Sequence, residues 1–410
     1  MTKLSSEEIK NLPNIEQVLD IISQLQDDFL ESGGWTTKLP DICELANALG
    51  YDCSYASYHN PYNPDDFIVS RLNSKRYCFK PNLRYVPFLF RGEREEYPSI
   101  ISAFERGDSS KRLISNLKTM DFFRFVKSHP LCRLFDNGIK LTSCKEPFFF
   151  EMNYYGLAQH YNFNTGLIDF SSSSLVAAFF ATTVNKGDDV YEPIIDVSKY
   201  PYGVIYLHII DPRITFGMFS TIGQQIFPRT GAQLGFFYQE KIAGFDVNKL
   251  VYKIPFKHDS GCSTRIFNMF DKGKKLFPKD ELTDIAKIIR DSNKVTLMSF
   301  SDNLFSNPGD TLEGNMKACA ENGITIDSTL DYHFTPEILQ SFWLDIKNGR
   351  WEDFCKPIQF YGKNGNELKE ELLSLPSNPY YKQYFNSRYY ERLFYHEIER
   401  IRLQSVFPRS

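Results

Sequence analysis

Residues Phe88 to Tyr97 read FLFRGEREEY. A run of β-formers from Tyr85 to Phe90 predicts a strand, and Pro87, which has no N–H to give a ladder, makes it start late or lie near a sheet edge. The run delivers Arg91 and Gly92 and then turns charged. Arginine is seldom buried without a partner. Arg91 at the tip of such a strand therefore has two readings: an ion pair with Glu93, Glu95 or Glu96, or an anion such as a phosphate gripped by two parallel N–H bonds. Gly92, lacking a Cβ, lets a backbone or a ligand come close.

Working outward, further β-runs follow. Gly203–Ile210, GVIYLHII, puts Ile205, Leu207 and Ile209 on one face and Val204, Tyr206, His208 and Ile210 on the other. Ala232–Tyr238 reads as a third strand, with Gln233, Gly235 and Phe237 sharing a face and Gly235 leaving a gap beside the Gln233 amide. The ends of the chain are helical. Ile15, Val18, Leu19, Ile22 and Leu25 recur at helical spacing after Asn14, a cap residue. A second helix is expected over Leu39–Leu49, followed by a Pro- and Asn-rich connector at His59–Asp65. Leu282, Ile285, Ile288 and Ile289 mark a helix over Asp280–Asp291, and Tyr390, Phe394, Ile398 and Ile401 mark another near the C-terminus. The expectation is an α+β chain in three parts: a helical region 1–70, a mixed core 71–275 and a helical region 276–410.

Composition narrows the function classes. With 410 residues, 42% hydrophobic and 24% charged, the chain has enough apolar matter for one large core or two smaller ones. The 36 Phe and 24 Tyr against 3 Trp predict cores and pockets walled by Phe and Tyr rings. A net charge of −4 gives no global attraction to a polyanion, though Arg71, Lys75, Arg76, Lys80 and Arg84 interleave with Tyr77 and Phe79 as in a single-strand nucleic-acid surface. Eight scattered cysteines without a Cys-x-x-Cys suggest reduced thiols, and no His pair stands at metal-ligand spacing. The N-terminus has no apolar leader and no run of eighteen apolar residues occurs, so a cytoplasmic protein without a membrane span is expected. Gly-x-Gly-x-x-Gly after a strand, the P-loop, His-Glu-x-x-His and Gly-x-Ser-x-Gly are all missing.

Two more segments carry candidate chemistry. Gly156–Thr183, GLAQHYNFNTGLIDFSSSSLVAAFFATT, places Gln159, His160 and Tyr161 ahead of a serine run, Ser171 to Ser174, that caps an apolar helix over Leu175–Val184. A helix N-terminus with free hydroxyls is a place to hold an anion. Ile226–Glu240, IFPRTGAQLGFFYQE, adds Arg229 as a second anion contact and Gln233 beside the Gly235 gap.

These three segments together resemble the FRG domain family, named for the tripeptide that stands here as Phe90-Arg91-Gly92. The family pattern continues in Gln159-His160-Tyr161, Thr165 with Asp169-Phe170, and Phe179-Phe180-Ala181. It closes in Phe227-Pro228-Arg229 with Ala232, Gln233 and Gly235. One departure is Gly166, where many members have arginine. The family resemblance implies a component of a bacterial toxin or phage-defence system. The order of the motifs is also similar to that of ADP-ribosyltransferases, in which an arginine ends a first strand, a serine-led helix follows, and a late strand bears a glutamate. That likeness implies a mixed or antiparallel ADP-ribosyltransferase-like sheet core flanked by the helical ends, and NAD as substrate.

On this reading Arg91 and Gly92, with Ser171, Ser172, Ser173 and Arg229, bind the pyrophosphate, and Gln159 and Tyr161 line the cofactor site, with Tyr161 or a nearby Phe stacking on the nicotinamide. His160 or Gln233 orients the ribose, and Asp169, or failing it Glu240, supplies the carboxylate for the cationic ribose, since Gly235 stands where the glutamate belongs. A protein or RNA acceptor and a partner protein or antitoxin are the implied partners. The alternative is a module that binds a nucleotide or another phosphate without cleaving it.

Overall fold

Period-two alternation around Phe90 becomes a six-stranded sheet, antiparallel throughout, in an α+β molecule. The structure is a computed structural model that describes residues 4–32, 67–71, 76–81, 86–142, 147, 149–150, 152–210, 219–221, 226–239, 246–307, 309–356, 358–359 and 365–406. The sheet contains β1 (Phe88–Glu93), β2 (Leu167–Ser171), β3 (Tyr202–Ile209), β4 (Phe219–Thr221), β5 (Gly235–Gln239) and β6 (Tyr252–Lys257), in the spatial order β6-β3-β1-β2-β5-β4. The helices that shape the site are α1 (Ile15–Glu31), α2 (Tyr154–His160), α3 (Ser174–Ala181), α4 (Pro228–Gln233), α5 (Arg350–Cys355) and α6 (Ser387–Val406).

Strand β1 is central rather than an edge. It starts late, as Pro87 requires, and runs on through Arg91 and Gly92 because the pairing with β3 continues from Phe88↔Ile209 to Glu93↔Val204. Both faces of the sheet are covered. Phe90, Ile205 and Leu207 pack with Phe179 and Phe256 on one side, while Leu89, Val204 and Tyr206 pack with Ile168, Phe170 and Phe236 on the other. The alternation expected for Gly203–Ile210 is thus realised, except that Ile209 stays exposed.

Helix α1 forms where its stripe predicts. Asn14 and Gln17 exchange side-chain-to-backbone hydrogen bonds of 2.9 Å, a reciprocal cap that satisfies two free N–H groups at once. Its buried Ile15, Val18 and Ile22 lie in the same apolar cluster as Phe90, whereas Leu25 faces solvent. The serine run and the helix after it are shorter than expected. Ser171 ends β2, Ser173 caps α3 by accepting from Val176 N at 3.3 Å, and the helix stops at Ala181 before Thr183 enters a hairpin.

Gly92 is required by packing. A Cβ there would stand 1.8 Å from the Ala177 carbonyl oxygen, so α3 can lie against β1 only over a glycine. The FRG tripeptide accordingly divides its work by pleat: Phe90 goes into the core under α3, Gly92 admits the helix, and Arg91 lies between them, opposite Tyr206 on β3.

The expectation of an extended Ala232–Tyr238 holds from Gly235 onward and fails for Ala232, Gln233 and Leu234. Pro228–Gln233 is a helix that opens on its proline, Leu234 takes a left-handed conformation at φ 48°, and only then does β5 begin at Gly235. The helix expected from Asp280 starts at Thr283, and α6 carries the C-terminal stripe, with Tyr390 buried and Phe394 packed beside it. A large core joins Phe122, Phe135, Tyr161 and Phe227 to Leu282, Phe342, Trp351 and Tyr390. The helix expected over Leu39–Leu49, the connector His59–Asp65 and Glu240 lie outside the described residues, as do the side chains of the basic stretch Arg71–Arg84.

Candidate functional site

Strands β1 and β2 pair at one position only, Phe90↔Ser171, and then part. Into the gap goes Arg91. Its Nη1 donates to the Asp169 carbonyl at 2.9 Å, the acceptor the next rung of a ladder would have used, and its Nη2 meets Glu93 Oε1 at 2.5 Å. A cleft of about 450 Å³ opens at this point, within the usual range for small-molecule sites. Arg91, Gly92, Gln159, His160, Asp169, Ser171 and Gln233 all line it, although they come from β1, α2, β2 and α4.

Asp169 stands on the cleft floor. It alternates with the inward Ile168 and Phe170, and so shares a face with Ser171 and with Gly235 and Phe237 across the β2–β5 pairing. Gln159 Nε2 donates to its Oδ2 at 2.9 Å, and Thr165 Oγ1 in turn donates to Gln159 Oε1 at 2.5 Å. The hydroxyl fixes which end of the amide faces the acid. Desolvation by the cleft walls raises the Asp169 pKa, an effect opposed by the Arg91 charge and the Gln159 hydrogen bond. The carboxylate nevertheless keeps an open face to solvent.

His160 lines the cleft but is buried, its ring edge-on to Phe237 at 5.5 Å. Burial and the nearby Arg229 charge push its pKa down to about 3, so the imidazole is neutral at physiological pH. Gln233 biases it weakly the other way, but the contact lacks hydrogen-bond geometry. Nε2 therefore has no partner among the described residues. Gln233 itself spends its amide on the Leu276 carbonyl at 2.9 Å, and its own carbonyl accepts from Ser171 Oγ at 2.8 Å.

One wall is aromatic. Tyr191 and Phe277 stack at 5.1 Å with 14° between the rings, and Phe180 meets both edge-on at 5.9 and 6.1 Å. All three are half-buried and face the cleft. A flat ligand ring has a surface to lie on.

Residues 86–189, about a quarter of the chain, match the family model of the FRG domain. The chain carries an FRG domain. No curated protein and no solved structure matches the chain.

Within and around the FRG domain, four of the residues singled out in the sequence do not line the cleft. Tyr161 is 2% exposed and gives its hydroxyl hydrogen to Asp280, which sends the ring into the large core instead of onto a ligand. Arg229 is equally buried: Nη1 meets Asp189 at 2.7 Å and the His160 carbonyl at 3.2 Å, Nε donates to the Pro278 carbonyl, and the guanidinium lies 4.5 Å over the Tyr161 ring. It is a structural cation, already neutralised. Ser172 and Ser173 are used locally, the first donating its N–H to the Leu234 carbonyl and the second capping α3. Residues the sequence reading missed include Tyr191 and Phe277, which belong to no motif; Phe180, from the family pattern, lines the cleft as one of the nearby Phe rings. Among the described residues there is no cluster of metal ligands, and no helix is long and apolar enough to cross a membrane.

Proposed function

We propose that the cleft binds NAD as substrate and that the protein breaks the bond between nicotinamide and ribose, as an effector of the ADP-ribosyltransferase or NAD glycohydrolase type. The observation that carries this reading is Asp169: a carboxylate held by Gln159, facing a cleft that has a guanidinium at one side and an aromatic wall at the other. When the N–C1′ bond breaks, its electron pair leaves with nicotinamide, and positive charge develops on C1′ and the ribose ring oxygen. A fixed carboxylate stabilises that charge. It then accepts the proton of the water or acceptor hydroxyl whose oxygen bonds to C1′, and its raised pKa suits that task.

Arg91 uses two of its five N–H donors on Asp169 and Glu93, leaving others for a phosphate oxygen. The stacked Tyr191 and Phe277 take a flat ring, and the neutral His160 Nε2 hydrogen-bonds a ribose hydroxyl. The FRG family's setting, a bacterial toxin or phage-defence system acting in the cytoplasm, extends the proposal: the wild-type chain arrests growth of a bacterial host and the Asp169→Asn chain does not.

The test is free nicotinamide, followed by chromatography after incubating the full chain with NAD. Release that falls at least about a hundredfold in Asp169→Asn, the scale of a lost charge-stabilising group, supports cleavage, and labelled ADP-ribose then shows whether water, protein or RNA receives it. NAD that remains intact with the wild-type chain ends the cleavage reading. Binding without release is the second reading, favoured by the Arg91–Glu93 pair and by Gly235 where the glutamate of the ADP-ribosyltransferase pattern would stand.

A further inference from the structure

Six consecutive residues, Leu276 to Glu281, tie the cleft to the C-terminal part of the molecule. The Leu276 carbonyl accepts from Gln233, Phe277 stacks on Tyr191 in the aromatic wall with the Arg229 guanidinium 6.0 Å from its ring, and the Pro278 carbonyl accepts from Arg229. Asp280 accepts from Tyr161, and Glu281 receives both Nη groups of Arg350 on α5, at 2.8 and 2.9 Å. His129 Nε2 stands 3.1 Å from Glu281 Oε1, and Arg350 also donates to the Ile226 carbonyl and lies 5.0 Å over the Phe342 ring. The segment has no helix or strand of its own; its first two residues are fixed by N–H bonds from Leu276 and Phe277 to the Gly273 carbonyl, and beyond them these side-chain bonds hold it in place. At one end it presents a ring to the cleft. At the other it is fastened by a buried bidentate pair whose arginine belongs to another part of the chain.

We infer that residues 276–281 are a strap through which the C-terminal helices set ligand affinity: Phe277 is the residue that lies on the ligand's planar ring, and the Glu281–Arg350 pair positions it. The choice of NAD as ligand rests on the function proposed above. A change that loosens Arg350 slackens the strap and withdraws the ring. Arg350 is a positioning residue here, since it does not line the cleft and reaches Phe277 through Glu281 and the backbone between them.

The experiment is a double-mutant cycle on the full chain, with NAD binding read by calorimetry. Phe277→Ala is expected to weaken binding about tenfold, within the range for losing one stacked ring, and Phe277→Trp to restore it. Arg350→Met is expected to weaken binding by a similar factor, and the double variant by no more than either alone. Factors that multiply to about a hundredfold, or an Arg350→Met chain with wild-type affinity, overturn the strap. Arg350→Lys, which keeps the charge and loses the bidentate bond, replaces Arg350→Met if the latter does not fold. Should the wild-type chain bind no NAD, the ligand assignment fails but the strap is still read directly. A 5-fluorotryptophan at Phe277→Trp adds a fourth fluorine signal to those of the 3 native tryptophans. That signal moves on Arg350→Met if the strap exists, and stays put if it does not.

Discussion

Arg91 and Arg229 stand in the same family pattern and meet opposite fates. Arg91 lies where β1 and β2 part, its pair with Glu93 on a cleft wall and its Nε without a partner among the described residues. Arg229 is fully enclosed, with Asp189, two carbonyls and the Tyr161 ring around it. A buried charge with every partner in place is architecture, because desolvation has been met by the fold itself. A charge left with unused donors beside an open volume is available to something else. The two surroundings touch through His160, whose carbonyl serves Arg229 and whose ring faces the cleft.

The largest effect is expected from Arg229→Met. It leaves the Asp189 carboxylate and the His160 and Pro278 carbonyls without their donor, and the expected loss of stability is about 3–5 kcal/mol in urea unfolding. Arg229→Met joined to Asp189→Asn should recover part of that loss. A single variant as stable as the wild type would show that Arg229 is not a structural cation.

Gly92→Ala comes next. The added methyl meets backbone, not a mobile side chain, so α3 must move off β1 at an expected cost of about 1–3 kcal/mol or more. A melting temperature unchanged from wild type would mean that Gly92 serves some purpose other than admitting the helix.

The smallest effect is a pH slope. His160 has a folded pKa of about 3 against an unfolded value of about 6.5, so between those values the unfolded chain binds the extra proton. Its contribution is full above pH 6.5 and is lost as pH falls toward 3, reaching about 2 kcal/mol of loss by pH 5. His160→Asn should flatten the wild-type stability profile over that window. An identical slope in both chains would place the imidazole in a wetter surrounding than the cleft wall.

Much of the fold is legible in the sequence because its signals are local. Asn14 with Gln17, the alternation in Gly203–Ile210 and the late start forced by Pro87 each act within a few residues. The cleft is legible in part for the same reason, since Arg91, Gln159, His160, Asp169, Ser171 and Gln233 sit in compact motifs that the sheet brings together. What the sequence hides depends on distant partners. Tyr161 turns inward toward Asp280 and Arg229 toward Asp189, neither of which any motif marks. Phe277 and Tyr191 reach the cleft from segments whose composition is ordinary. Gln233 looks extended because Gly235 and the rings after it are strand-like, yet Pro228 opens a short helix that only the left-handed Leu234 ends.

The most direct measurement is calorimetric titration of NAD into the wild-type and Arg91→Ala chains, with melting temperatures taken alongside. The wild type is expected to bind and Arg91→Ala to weaken binding at least about tenfold, the scale of one hydrogen bond to a charged group. The change also removes the half-buried Arg91–Glu93 pair and the bond to the Asp169 carbonyl, so both chains are titrated well below their melting temperatures. Equal affinity in the two chains, or no binding to either, would contradict the claim that the guanidinium between β1 and β2 is held there for a ligand.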